Sequence, residues 1–473
     1  MALYYLLPQR FRWVLLLAAS YYFYMSWNPN LIVLILFTTA TSYFSALGVQ
    51  RAAGRRRTQK AILAVGVSAS LLCLFVFKYF NFFSHNLTAL LRAISLPVGD
   101  FTLQVILPVG ISFYTFQTLG YLIDVYRGQL PAERHFGIYA LFVSFFPQLV
   151  AGPIERAGSL LPQFTEKHRF SLPQLSEGLR YILLGLFKKV LVADYVAVFV
   201  NNVYNQVEAY NGLPIVVATV LFAFQIYCDF SGYSDIAKGS ARLMGFRLME
   251  NFRSPYLARS VREFWHRWHI SLSTWFSDYV YKPLGGSRVG RLRHLFNLMV
   301  TFLLSGLWHG AAGTFVLWGA LHGAALCIEV FLRPGQERRF AAAGAGKRRV
   351  LSVLRWGATM LVVLAGWVLF RANTIADAGT LFSHLFRGLN PVHLMTYLES
   401  MGITPSTLAT ILVLLFFLVL FDWANRHGDG MARFKRLPAA ARYFTYYGAG
   451  LFLLLRTLST FGQPVADFIY FQF

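Results

Sequence analysis

Cysteine is scarce in this sequence, and acidic residues are outnumbered by basic ones. The three cysteines among 473 residues, Cys73, Cys228 and Cys327, sit in apolar stretches with no CxxC pair, which argues against a disulfide framework or a thiolate zinc site. They read as core residues. Asp and Glu together number 20 and only 13% of the chain is charged, too little to clothe a soluble globular protein. There is no HExxH pattern, no repeat of fixed period, no low-complexity tract and no linker long enough to set off a soluble domain. Met1 to Gln9 lacks a basic region, and the first apolar run leads into a second with no small-residue cleavage site, so a cleaved signal peptide is not expected.

What the sequence does contain is apolar. Hydrophobic residues make up 56% of it and aromatics 17%, and the mean hydropathy is +0.51. Such a chain belongs in a membrane. Trp13 to Trp27 and Leu31 to Val49 form an apolar hairpin around Asn28, Pro29 and Asn30, each leg close to the roughly 20 residues that a spanning helix needs. Ala61 to Phe83 and Leu103 to Tyr126 read as further spans. Phe136 to Gly152 carries Pro147, Gln148 and then Gly152-Pro153, the mark of a bent or re-entrant segment. Leu179 to Tyr204 holds Lys188 and Lys189 at its centre, where two ammonium groups at bilayer depth would cost several kcal/mol. That helix is expected to line a cavity or to lie at the interface. Leu213 to Cys228 is a span that runs into Asp229 and Asp235. Leu295 to Trp308, Gly313 to Phe331, Trp356 to Phe370, Leu408 to Phe421 and Tyr443 to Leu455 complete an all-α, polytopic membrane protein of about 10 to 11 spans with interfacial or re-entrant helices, expected as a single domain over 1–473.

Charge supplies an orientation. Segments 51–60, 333–349 and 426–442 hold 16 of the 43 Lys and Arg, and loops so enriched are cytoplasmic under the positive-inside rule. The same asymmetry accounts for the net charge of +23 without nucleic acid as a partner. It sends the last helix outward and the segment FGQPVADFIYFQF to the outer side.

The chemistry-bearing stretch is Val261 to Gly323. VREFWHRWHISLSTWFSDYVYKPLGG is too polar to span, and its Trp265, Trp268 and Trp275 favour headgroup depth. Glu263, His266 and His269 fall at i, i+3 and i+6, which places neighbouring pairs on adjacent turns of one helix. LFNLMVTFLLSGLWHGAAGTFVLWGALHG is almost wholly apolar, and a histidine inside hydrocarbon is by default a candidate functional site. His309 there is followed by Gly310, Gly313 and Gly319, small residues that let backbones approach closely. His322 lies 13 residues later, a rotation of roughly 220° on a straight helix, so the two share no face unless a glycine breaks the helix. His322 by itself reads as a structural histidine bonded to a neighbouring helix.

QIYCDFSGYSDIAKG, NFRSPYLARSVREFWHRWHISLSTW, DYVYKPLGG, GLWHGAAGTFVLWGALHG and WVLFRA, spread over residues 225 to 372, resemble the membrane-bound O-acyltransferase (MBOAT) superfamily. Within it they are most similar to the bacterial alginate O-acetyltransferase branch, related to the proteins that pass D-alanine to teichoic acids. The usual FWRRWHISLS reads FWHRWHISLS here, with His266 in place of a common arginine. The resemblance implies an MBOAT fold with a central tunnel that admits acyl donor from the cytoplasm, with His309 as the catalytic histidine and His269 as its partner. Trp265, Trp268, Ser305, Trp308 and His322 become candidates for the donor site or tunnel. It further implies acetyl-CoA as donor with no bound cofactor or metal, a polysaccharide acceptor such as alginate reached through an extracytoplasmic SGNH-type acetyltransferase partner, and residence in a bacterial plasma membrane. FIYFQF, residues 468–473, resembles the FxYxxF motif of this branch, in which the tyrosine hydroxyl, here that of Tyr470, carries the acyl group. An aromatic tail is otherwise an interfacial anchor.

The bare residues agree with such chemistry. Acetyl transfer from a thioester needs a base near pKa 7 to take a hydroxyl proton, and histidine supplies it without a large shift. Negative charge growing on the carbonyl oxygen needs a hydrogen-bond donor, which a second imidazole or a backbone N–H provides. Spacing does not say which histidine does which. The competing function is a transporter or flippase, whose basic and histidine-bearing helices would conduct an anion or protons. Internal repeats would favour it, and none are seen. A membrane di-iron enzyme ranks behind both, because carboxylate sites of that type need matching motifs on facing helices.

Overall fold

A computed structural model describes residues 1–96, 98–99, 101–388, 390–427, 430–459 and 468–469, apart from the side chains of 391 and 431. The described residues form helices and no strand. Six helical stretches are long and apolar enough to cross a membrane: Pro29–Arg51, Arg56–Ala93, Leu213–Leu243, Gly313–Ala342, Ala345–Arg371 and Pro405–Ala424. The chain is a multi-pass membrane protein. Gln9–Met25, Ile111–Tyr126, Arg291–His309 and Ala439–Ser459, which enter the expected count of 10 to 11, are helical as well.

The chain divides into two compact units, Met1–Ile182 with Ile236–Met249, and Leu183–Asp235 with Glu250–Phe473. In the first unit, Asn28 turns the initial hairpin by accepting the Asn30 N–H at 3.0 Å through its side chain. This is the short polar turn that an Asn-Pro-Asn sequence favours. Helix Ile111–Tyr126 is buried along nearly its whole length. Helix Phe136–Ser144 stops before Pro147, and 145–152 follow as turns, the bend that Pro and Gly-Pro dictate. Arg56 already lies in a helix, and Gly313–Ala342 runs through Arg338 and Arg339. The helices thus run into the basic segments, which break briefly at 52–55, 343–344 and 436–438.

The core of the second unit is built from residues 191–228, 258–268, 315–326, 363–381 and 398–418, with Ile469. Helices Arg291–His309 and Gly313–Ala342 form its tightest hairpin. A Cβ on Gly319 would stand 2.3 Å from the Phe302 carbonyl oxygen, and one on Gly306 would stand 2.2 Å from that of Phe315, so the backbones touch where the sequence supplies glycine. Helix Val261–Arg267 is capped at its start by Ser260, which accepts the Glu263 N–H at 3.0 Å. Glu329 accepts the N–H groups of Val261 and Arg262, putting a carboxylate at the positive end of the helix.

Lys188 and Lys189 are paired with carboxylates. They lie in the π-helical turns Phe187–Ala193. Lys188 Nζ is 2.7 Å from Asp235 Oδ2, while Lys189 Nζ is 2.6 Å from Asp229 Oδ1 and 2.9 Å from Asp194 Oδ1. Gly232 makes this possible. A Cβ there would lie 2.8 Å from the Gly185 carbonyl oxygen, so the helices meet backbone to backbone, and Asp229 and Asp235 stand three residues to either side of the contact. The adjacent lysines straddle the crossing, and each reaches one carboxylate of the facing helix.

Candidate active site

The histidine segment is not one helix. Val261–Arg267 ends, Trp268 is extended, and His269 takes the left-handed conformation (φ 44°, ψ 54°) before Ile270–Phe276 begins. The continuous i, i+3, i+6 face expected for Glu263, His266 and His269 is therefore corrected. Positive φ is uncommon outside glycine and collects at sites where the surroundings enforce it. The break separates the histidines: His266 stays exposed, whereas His269 is wholly buried. Glu263 turns to Arg267, at 2.8 Å.

Asn251 holds His269 in place. The Asn251 Oδ1 accepts the Ser271 N–H at 3.2 Å and the Ser271 hydroxyl at 2.9 Å, and it lies 3.2 Å from His269 Nδ1. A backbone N–H can only donate, so the amide presents its oxygen. His269 must then donate from Nδ1, which leaves the lone pair of the neutral ring on Nε2. Burial pushes this imidazole down to about 3, so it is neutral at physiological pH. Fixing the tautomer through the other ring nitrogen is what a proton-transfer histidine requires.

His309 is the last residue of helix Arg291–His309, and the chain breaks over Gly310 before Gly313–Ala342 starts, the interruption that separates His309 from His322. The rings of His269 and His309 lie 6.4 Å apart between centroids, with Trp308 at 5.7 Å from the first and 5.0 Å from the second. Trp318 at 5.0 Å and Phe370 at 5.2 Å also pack on His309, and Phe230 packs on His269 at 4.6 Å. Two histidines 40 positions apart in sequence thus share one aromatic-walled site. Ser305, one turn before His309, is buried on the same helix.

His322 stands beyond Trp318, whose ring is 4.9 Å from it. Trp265 packs on the other side at 5.1 Å. Trp265 Nε1, Trp318 Nε1 and His322 Nδ1 are buried with no hydrogen-bond partner among the described residues, so three polar nitrogens gather behind His309. Trp268 lies among Phe252, Phe264 and Trp367, at 5.0, 5.6 and 4.9 Å, and serves the core. Tyr470 lies outside the described residues. Among the described residues, no group of three His, Cys, Asp or Glu is arranged to hold a metal ion. Sequence reasoning missed Asn251. It heads the second of the quoted motifs, in an extended segment where no helical periodicity marks it.

A multi-pass helical protein with two histidines buried side by side, one of fixed tautomer, has the makings of a membrane acyl-transfer enzyme. Residues 134–361 match the model of the membrane-bound O-acyltransferase family, and the chain belongs to that family. It is 37% identical to the probable alginate O-acetylase AlgI of Pseudomonas putida, over 100% of this chain and 97% of the relative. It is 41% identical to the protein of the same name from Pseudomonas syringae pv. tomato, over 82% of this chain and 72% of the relative. A peptidoglycan O-acetyltransferase from Helicobacter pylori is 34% identical, over 80% of this chain and 74% of that protein.

Proposed function

We propose that this enzyme takes acetyl from cytoplasmic acetyl-CoA and relays it across the bacterial plasma membrane for O-acetylation of a secreted or cell-surface polysaccharide of the alginate type. The observation that carries the reading is the pairing of His269 and His309 in one buried site, in a chain related to polysaccharide O-acetylases. The first acceptor is the Tyr470 hydroxyl. Its oxygen attacks the thioester carbonyl carbon, the C–O bond forms, the C–S bond breaks, and the CoA thiolate leaves with the proton that His309 has taken. His269 Nε2, left as an acceptor by the Asn251-fixed tautomer, receives the hydrogen bond of the His309 imidazolium, directly or through one bridging oxygen. An imidazolium so supported lowers the barrier to proton abstraction. The buried indole N–H of Trp318, whose ring packs on His309, can donate to the carbonyl oxygen as charge grows on it.

Dividing one transfer into two through an acyl-tyrosine serves an inside donor and an outside acceptor without moving CoA across the membrane. The basic segments support an outward C-terminal tail, from which an extracytoplasmic SGNH-type acetyltransferase would take the acetyl group. The test is purified protein in liposomes with labelled acetyl-CoA. Label is expected on Tyr470, and polymer acetylation only after the partner is added. Tyr470→Phe should keep membrane insertion and lose both. Wild-type polymer acetylation by Tyr470→Phe, or full polymer acetylation by this chain alone, would refute the relay.

A further inference from the structure

Residues 468 and 469 are seated in a built site. The Ile469 N–H donates to Asp229 Oδ2 at 2.7 Å, and the other oxygen of that carboxylate is 2.6 Å from Lys189 Nζ. Lys189 in turn is shared with Asp194. Phe468 packs on Tyr233 at 5.3 Å and on Phe230 at 6.3 Å, with Lys189 Nζ 5.9 Å above its ring. Phe468 and Ile469 are both buried, as is Asp229. Phe230 follows Asp229 on the same helix, and its ring packs on His269 at 4.6 Å. A single ring therefore separates the seat of residue 468 from the histidine pair.

This arrangement differs from ordinary core packing. A buried carboxylate needs a partner for each oxygen, and here the second oxygen is satisfied by one backbone N–H from 240 positions away. A backbone donor carries no side-chain identity, so the carboxylate fixes the register of the segment while the apolar seats of 468 and 469 select what enters. Charge-assisted hydrogen bonds of this kind are the strong and directional ones.

The geometry points to Asp229, with Lys189 and Asp194 behind it, as a docking site for a peptide backbone that holds the C-terminal segment at Ile469, next in sequence to the tyrosine proposed as acetyl carrier. The inference rests on the reading of Tyr470 as acetyl carrier. Asp229 and Lys189 are positioning residues in it. Lys189 aims the carboxylate through the ion pair at its other oxygen, and Asp229 grips the chain.

Four variants of the protein in detergent or liposomes test it. Ile469→Pro deletes the donated N–H and leaves the Lys189–Asp229–Asp194 cluster intact, which covers the case in which Asp229→Ala fails to fold. Asp229→Asn keeps an oxygen acceptor and should rescue in part. Two readouts are taken: the rate at which carboxypeptidase releases the C-terminal residues, and the acetyl found on Tyr470 by mass spectrometry after exposure to acetyl-CoA. Ile469→Pro and Asp229→Ala should both speed release about tenfold or more and cut Tyr470 acetylation by a similar factor, whereas Tyr470→Phe should keep its tail protected. A tail that stays protected and acetylated in both variants overturns the docking site. If the variants free the tail but the unaltered protein bears no acetyl on Tyr470, the carrier reading fails and a backbone-binding site remains.

Discussion

The second unit contains a half-buried to buried ion-pair cluster and a buried histidine cluster, and they accommodate polar groups in opposite ways. Lys188, Lys189, Asp194, Asp229 and Asp235 meet as ion pairs, each ammonium within 2.9 Å of a carboxylate. His269 and His309 lie among the rings of Trp308, Trp318, Phe230 and Phe370, and His269 is held neutral with one nitrogen committed to Asn251. The first solution gives rigidity, since ion pairs tie two helices at one crossing. The second walls two imidazoles with aromatic rings and sets the tautomer of one through a single amide oxygen. A buried ionisable residue thus takes its state from its neighbours: carboxylates hold an ammonium in an ion pair, and an amide oxygen sets the tautomer of an imidazole.

The largest expected effect comes from emptying the histidine cluster. His309→Ala should lower acetyl transfer by about 10³-fold or more while the protein still inserts and melts near the wild-type temperature, and His269→Ala should be strongly impaired. Initial rates with acetyl-CoA, normalised to folded protein, check this. A near-normal rate in His309→Ala together with inactivity in His322→Ala would exchange the two assignments.

The ion-pair cluster should fail in the other currency, stability. Lys188→Met strands Asp235 and should destabilise the fold by about 3–5 kcal/mol, read as thermal unfolding in detergent. Lys188→Met combined with Asp235→Leu should recover most of the loss, because two apolar side chains need no partner. Failure of the double variant to recover would mean that the pair does more than hold the crossing.

Asn251 tests the boundary between the clusters. Asn251→Ala frees the His269 ring and should reduce turnover by about 10²-fold or more, within the range general acid–base catalysis contributes, with KM for acetyl-CoA nearly unchanged. A fall in melting temperature with no change in turnover per folded molecule would reduce Asn251 to a capping residue for Ser271. The smallest effect is expected at His322, one ring removed from the pair: His322→Ala should cost less than tenfold in turnover. A loss equal to that of His309→Ala would extend the histidine cluster through Trp318.

Much of this was legible along the chain. Composition and apolar run lengths are one-dimensional quantities, so the membrane class, the helical spans, the bend near Pro147 and the break after His309 could be read from them. The motifs around His269 and His309 brought the family into view. Periodicity misled at His269, because the reading assumed one continuous helix, and a single residue at φ 44° turned the chain out of it.

By itself the sequence determined that this chain lies in a bilayer, that its basic segments flank its spans, and that two histidines stand in stretches where hydrocarbon makes them costly. Only the tertiary structure decided which nitrogen of His269 holds a proton, through an amide 18 residues upstream. It also decided that two lysines that looked too expensive for the membrane meet Asp229 and Asp235 where Gly232 lets helices touch, and that residue 469 is gripped by Asp229. The physical reason is range. Hydropathy is a property of each residue and its near neighbours, whereas the state of a buried ionisable group is set by the few atoms folding brings within hydrogen-bond distance, and those come from anywhere in the chain.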